Sequence, residues 1–96
     1  MATVIDDQGQ SRFRFGEEGD EAELVYRVVG SRLILVHTEV PESFRGRGIG
    51  GKLVRAAVDK ASESREAIVP LCPFARKWLE DHVNVAGTVS VDWNET

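Results

Sequence analysis

Within residues 41–52 the pattern of this chain changes. Before Pro41 apolar residues recur at every second position; after Gly51 they recur at spacings of three and four. Between the two lies Arg45-Gly46-Arg47-Gly48-Ile49-Gly50-Gly51-Lys52, in which four of eight residues are glycine and three are cationic. Alternation is the period of a half-buried strand, and the three-four spacing is that of an amphipathic helix. The chain therefore has to turn from sheet into helix within a few residues. Glycine supplies the positive φ such a turn needs and lets a ligand approach without meeting a Cβ. The helix that follows presents unpaired N–H groups and the positive end of its dipole at the turn, a place for phosphate or another anion.

The predicted helix covers residues 47–64. Ile49, Leu53 and Ala57 lie along one side with Val54, Val58 and Ala61 beside them, while Lys52, Arg55, Asp59 and Glu63 take the other. Ahead of it, residues 3–5 are short and apolar and residues 6–10 have turn chemistry. Residues 11–15, 22–29 and 32–40 read as three strands. Short links, the acidic residues 16–20 and Gly30-Ser31, join them into an antiparallel meander. Pro41 ends the third strand because it cannot donate to a ladder. After the helix, residues 67–71 form a short buried strand, and a strand–helix–strand crossover places it parallel to the third. Pro73, suited to a first helical position, opens a second helix through residue 82, with Phe74, Trp78 and Leu79 read as its core face. Residues 83–96 form either a last strand or a packed extension. The expectation is an α+β fold: a mixed sheet made of a meander plus one parallel strand, two helices, and a single domain over residues 1–96.

The glycine stretch fits two other phosphate-binding patterns, and its surroundings decide against both. Gly46, Gly48 and Gly51 satisfy G-x-G-x-x-G, but that fingerprint needs its first glycine directly after a parallel strand and an acid ending the next strand. Here residues 41–45 intervene, and Pro70-Leu71-Cys72 stands where the acid belongs. Gly46 to Lys52 also has the spacing of a P-loop, yet Leu53 replaces the hydroxyl residue that holds Mg²⁺.

Composition narrows the setting. A 42% hydrophobic and 29% charged chain can bury a core. A net charge of −4 argues against general nucleic-acid binding. With Cys72 the lone cysteine, no intrachain disulfide forms, which fits a reducing compartment. No charged-then-apolar leader opens the sequence and no apolar run approaches the roughly 18–20 residues of a membrane span, so a cytoplasmic protein without membrane contact is expected.

Arg45-x-x-Gly48-x-Gly50, at a turn from an antiparallel strand into a helix, resembles the acetyl-CoA pyrophosphate motif of the GCN5-related N-acetyltransferases. Two flanking segments extend the likeness: His37-Thr38-Glu39-Val40-Pro41 before the loop and Pro70-Leu71-Cys72-Pro73-Phe74 after the helix. Together they resemble the minimal members of that superfamily, of about this length, which carry H-T-x-V-P and P-x-C-x-[FY] segments in the same order. The likeness covers residues 13–82.

The resemblance implies an acetyl-CoA-binding protein that transfers acetyl to an amine, small-molecule or protein, as yet unidentified. It places the pyrophosphate on the backbone N–H groups of residues 47–51, with Arg45 or Arg47 for charge, and the peptide-like pantetheine arm on a strand edge at Thr38, Glu39 and Val40. Gly46, Gly48, Ile49, Gly50, Gly51 and Lys52 complete the expected contacts. It also makes Cys72 a candidate catalytic residue, at a helix start that favours a thiolate able to take and pass on an acetyl group. The plainer reading of Cys72 is a core filler. Direct attack by the amine is the competing route, with His37, Glu39 or His82 as candidate bases and positioning supplying the rate. The acids of residues 17–23 offer attraction for a cationic acceptor. His37, His82 and Cys72 have no metal-ligand spacing, so no metal is expected. The alternative function is a CoA-binding or interaction module without turnover; the expected assembly is a monomer or weak homodimer.

Overall fold

In a computed structural model, residues 3–17 and 19–94 are described. Glu18 of the acidic turn and the last two residues of the tail lie outside that set. The elements are β1 (Ile5–Asp7), β2 (Arg12–Glu17), β3 (Asp20–Val29), β4 (Arg32–Glu39), α1 (Ile49–Ser64), β5 (Ala67–Pro70), α2 (Pro73–Asp81) and α3 (Val83–Ala86). They build one five-stranded sheet in the order β1-β2-β3-β4-β5, antiparallel except for the β4–β5 pair. The expected α+β mixed sheet is present, and the strand after the helix lies parallel to β4.

Three details differ from the sequence reading. Asp6 and Asp7, expected in a turn, continue from Ile5 as an edge strand, held to its neighbours by polar groups: Tyr26 Oη donates to Asp6 Oδ1 at 2.5 Å, and Arg14 Nε lies 3.4 Å from Asp7 Oδ2. Among the described residues there are three α-helices rather than two, because residues 83–86 close one further turn with the amides of Val85 and Ala86 donating to the His82 carbonyl. The tail is a packed extension that touches the sheet at one bridge. Ile68 N–H donates to Ser90 O and Asp92 N–H to Ile68 O, both at 2.8 Å, beside β5.

The alternation of β2, β3 and β4 sends Phe13, Phe15, Leu24, Tyr26, Leu33 and Leu35 to one face, all buried. α1 covers that face with Leu53, Val54, Ala57, Val58 and Ala61, and α2 adds Ala75 and Leu79. Burying each of the large side chains contributes about 1.5–3 kcal/mol. α1 ends where Arg65 takes a left-handed conformation and returns its N–H to the Ala61 carbonyl. Among the described residues, no helix is long and apolar enough to cross a membrane.

One irregularity in the sheet decides what faces the helices near the end of β4. Tyr26 pairs with Leu35 but Val25 pairs with His37, so Val36 is an extra residue, a β-bulge. Strict alternation from Leu33 and Leu35 carries His37 onto the helix-covered face. The bulge shifts the phase by one, so Thr38 takes that face opposite Leu24 while His37 and Glu39 lie on the other.

Candidate functional site

The turn between β4 and α1 is anchored before it reaches the glycines. Residues Glu42–Phe44 form one 3₁₀ turn, Ser43 Oγ donates to Asp20 Oδ2 at 2.6 Å, and the buried Phe44 ring meets Phe15 edge-on with centroids 5.5 Å apart. The chain then passes through Gly46 at φ +79° and Gly48 at φ +71°, a region that strains any residue with a Cβ. Gly48 is the N-cap of α1, and its carbonyl accepts the Lys52 N–H at 3.1 Å. The Arg47 N–H is taken by the Phe44 carbonyl at 3.3 Å. The amides of Gly48, Ile49, Gly50 and Gly51 have no protein acceptor among the described residues, as expected for the first turn of a helix that begins without a side-chain cap.

These amides border a cleft of about 340 Å³ lined by Val40, Phe44, Arg45, Gly46, Gly48, Ile49, Gly50, Gly51, Phe74 and Trp78. Its far wall is α2. A Cβ on Gly50 would lie 2.6 Å from Phe74 Cζ, and one on Gly51 would lie 2.6 Å from Trp78 Nε1. The two consecutive glycines thus let the aromatic side chains of α2 reach the backbone of α1. The sequence reading placed Phe74 and Trp78 in the core. Leu79, read with them, is fully buried beside Ala75, whereas Trp78 only packs against the core's edge and Phe74 is left 44% exposed. A glycine pair inside a helical pattern, where each costs about 1 kcal/mol against alanine, was the available signal for such an approach.

The other expected site residues divide. β5 leaves β4 after the Leu35–Pro70 pair, and the Cys72 N–H makes the last connection, to Leu35 O at 2.9 Å. Beyond it, residues 38–40 have no strand partner on the β5 side among the described residues. Val40 lines the cleft; Thr38 and Cys72 do not, and share a hydrogen bond of 3.2 Å between Oγ1 and Sγ. Cys72 is the N-cap of α2 and only 3% exposed. His37 is on the opposite face of the sheet, its side chain 59% exposed and Nε2 3.6 Å from Glu39 Oε1. Neither is brought to Cys72. Arg47 places its guanidinium 5.3 Å from the Phe44 ring centroid, and Lys52 turns its ammonium over Phe15, away from the cleft lining. Two of the acids in the predicted turn are engaged by Arg12, which lies 2.8 Å from Glu21 and 2.9 Å from Glu23, and these contacts raise the pKa of the guanidinium. Among the described residues no group of three or more His, Cys, Asp or Glu could hold a metal ion.

A family model described as GCN5-related N-acetyl-transferase matches residues 12–87, which includes every element from β2 to α3. The chain belongs to the GCN5-related N-acetyl-transferase family. It is similar to Protein NATD1 of Gallus gallus and of Homo sapiens, 39% identical over 64 residues, which are 66% of this chain and 58% and 57% of those proteins. The chain thus spans less than two-thirds of the length of these relatives. Protein NATD1 of Danio rerio is 35% identical over 74 residues, 76% of this chain and 67% of that one. Among solved structures, that of a GCN5-like protein from Staphylococcus aureus superposes with a TM-score of 0.71 at 28% identity, covering 95% of this chain and 91% of that one. In this member of the GCN5-related N-acetyl-transferase family, the glycine turn, the open edge of β4 and the start of α2 all meet at one end of the sheet.

Proposed function

We propose that the chain binds acetyl-CoA in this cleft and passes its acetyl group to an amine. The observation that carries the reading is the row of amides at Gly48, Ile49, Gly50 and Gly51, without protein acceptors, beside Arg45 in the cleft. Family membership supports the choice of ligand. The donor set fits a diphosphate: four N–H groups at the positive end of a 16-residue helix, and a cation whose side chain lines the same cleft. The unpaired edge of β4 at residues 38–40 offers backbone groups to the amides of a pantetheine arm, in the manner of an added strand. Val40, Phe44 and Phe74 give that arm an apolar wall and keep water from it.

Bound acetyl-CoA supplies a thioester carbonyl open to attack by an amine. The chain's own contribution is to hold that carbonyl still, and positioning of this kind accounts for much of the rate of such reactions. Cys72 and Thr38, which do not line the cleft, are joined by a hydrogen bond between Sγ and Oγ1. A second reading, binding without turnover, draws on the burial of Cys72 and on His37 lying across the sheet.

Intact mass spectrometry after incubation with acetyl-CoA separates these outcomes. An added acetyl group that disappears in Cys72→Ala supports a covalent route. Thioester loss with an amine panel that persists in Cys72→Ala supports direct transfer, and tight CoA binding with no thioester loss supports the module. The anion site itself is tested by calorimetry. Arg45→Ala should weaken CoA by about 1 kcal/mol, roughly fivefold, and less at high salt. Unchanged affinity sinks the reading of the cleft.

A further inference from the structure

We propose that Trp78 is a ligand contact in this cleft, its indole N–H donating to a phosphate oxygen of the nucleotide end of coenzyme A. The inference rests on the reading of the cleft given above. Trp78 sits on α2 four residues after Phe74 and four before His82, so the three share one stripe of the helix line. The edge of the indole that carries the nitrogen is the one turned to α1. A Cβ on Gly51 would stand 2.6 Å from Nε1, 3.3 Å from Cε2 and 3.4 Å from Cδ1. The donor is therefore beside the first-turn amides, in the wall of the same cleft.

This N–H has no acceptor among the described residues, and its nitrogen is not among the fully buried unsatisfied atoms. An indole nitrogen can only donate. A tryptophan in a wall of this kind ordinarily finds a partner for it. An anion on the amides of Gly50 and Gly51 brings an acceptor to the place where the protein provides none.

The ring is also held in place. His82 Nδ1–H donates to the Trp78 carbonyl at 2.7 Å, and the imidazole stacks on the indole with centroids 3.9 Å apart and planes 11° from parallel. A donor fixed in advance loses little freedom when it binds. His82 is thus a positioning residue, acting through Trp78. If the indole served only to pack against Gly51, the contact would be indifferent to which atom of the edge carried the proton, and ligand would not perturb it selectively.

The indole N–H is directly observable by nitrogen-15 NMR of the full chain. The chain has two tryptophans, Trp78 and Trp93, and Trp93→Phe assigns their signals. Titration with inorganic pyrophosphate and then with CoA should move the Trp78 indole proton downfield together with the amides of Gly48 to Gly51, leaving Trp93 in place. Trp78→Phe should weaken CoA binding by about tenfold or more in calorimetry, the size expected for one hydrogen bond to a charged group. His82→Ala should broaden the indole signal. If the Gly48 to Gly51 amides move while the indole does not, or Trp78→Phe binds CoA as the parent does, the inference is overturned and the cleft reading stands. If neither set moves with CoA, the cleft reading fails and the inference falls with it. The NMR arm uses the native sequence at position 78, so a poorly folding variant does not remove the test.

Discussion

Gly51→Ala tests whether the approach of the two helices, rather than the turn alone, requires glycine. The added methyl group meets Trp78 Nε1 at 2.6 Å, closer than real Cβ contacts allow, and two more ring atoms at 3.3 and 3.4 Å. Relief requires the indole to move by nearly 1 Å, which strains its stack on His82 and the hydrogen bond between their backbone and ring. Overpacking of this kind costs about 1–3 kcal/mol. Against it stands the gain in helix propensity from Gly to Ala, at most about 1 kcal/mol in a helix interior and less in a first turn. The net expectation is a loss of about 1 kcal/mol, seen as a fall in Tm of about 4–8 °C for a domain of this size. Gly50→Ala is the control. Its methyl group meets Phe74 at 2.6 and 2.8 Å, but that ring is 44% exposed and can swing into solvent, so its Tm should change little while the cleft narrows. Thermal melts of both variants and calorimetry with CoA measure the two effects. A Gly51→Ala protein as stable as the parent would refute the argument that Trp78 is held rigidly against α1.

Other expectations can be read from the same geometry. Tyr26 is the only tyrosine, and burial, followed by its hydrogen bond to Asp6, raises its pKa well above the ordinary value near 10. The folded state therefore keeps a proton that the unfolded state releases. The stability it contributes is complete below about pH 10 and falls as pH rises beyond it. Ultraviolet titration of the phenol, tracked with circular dichroism, should show ionisation and unfolding together, and Tyr26→Phe should lose that alkaline sensitivity. Leu53→Ala, at a fully buried position of α1, should cost about 2–5 kcal/mol in denaturant unfolding. Cys72 in the native protein should react with a thiol reagent far more slowly than in denaturant, since it is 3% exposed, and bound CoA should slow it further. Rapid native labelling would contradict its burial.

The parts of the fold legible in the sequence are those where one periodicity ruled. The three-four spacing from Ile49 to Ala61 defines α1, and alternation through Phe13, Leu24 and Leu33 defines the central strands. β1 was hidden because Ile5-Asp6-Asp7 carries one apolar residue and two acids; its pairing draws on Tyr26 and Arg14, distant in sequence. The bulge leaves no mark, since Val36 is one more apolar residue in an apolar run. The glycine turn could be placed by its composition, but the wall opposite it could not. Phe74 and Trp78 obey the same helical spacing as Ala75 and Leu79, and only tertiary packing decides which pair faces the core.

The extra residue at Val36 also sets the identity of the atom that touches sulfur. His37 and Thr38 are neighbours in sequence, one with an imidazole and the other with a hydroxyl, and a strand can present only one of them to Cys72. The bulge, which takes Val36 out of the alternation, chooses the hydroxyl. Straightening the bulge with Val36 kept in the pleat would exchange the two without substituting either, turning a thiol–alcohol pair into a thiol–imidazole pair. The chemical character of this buried corner is thus written in the parity of a strand, a count of residues, as much as in their names.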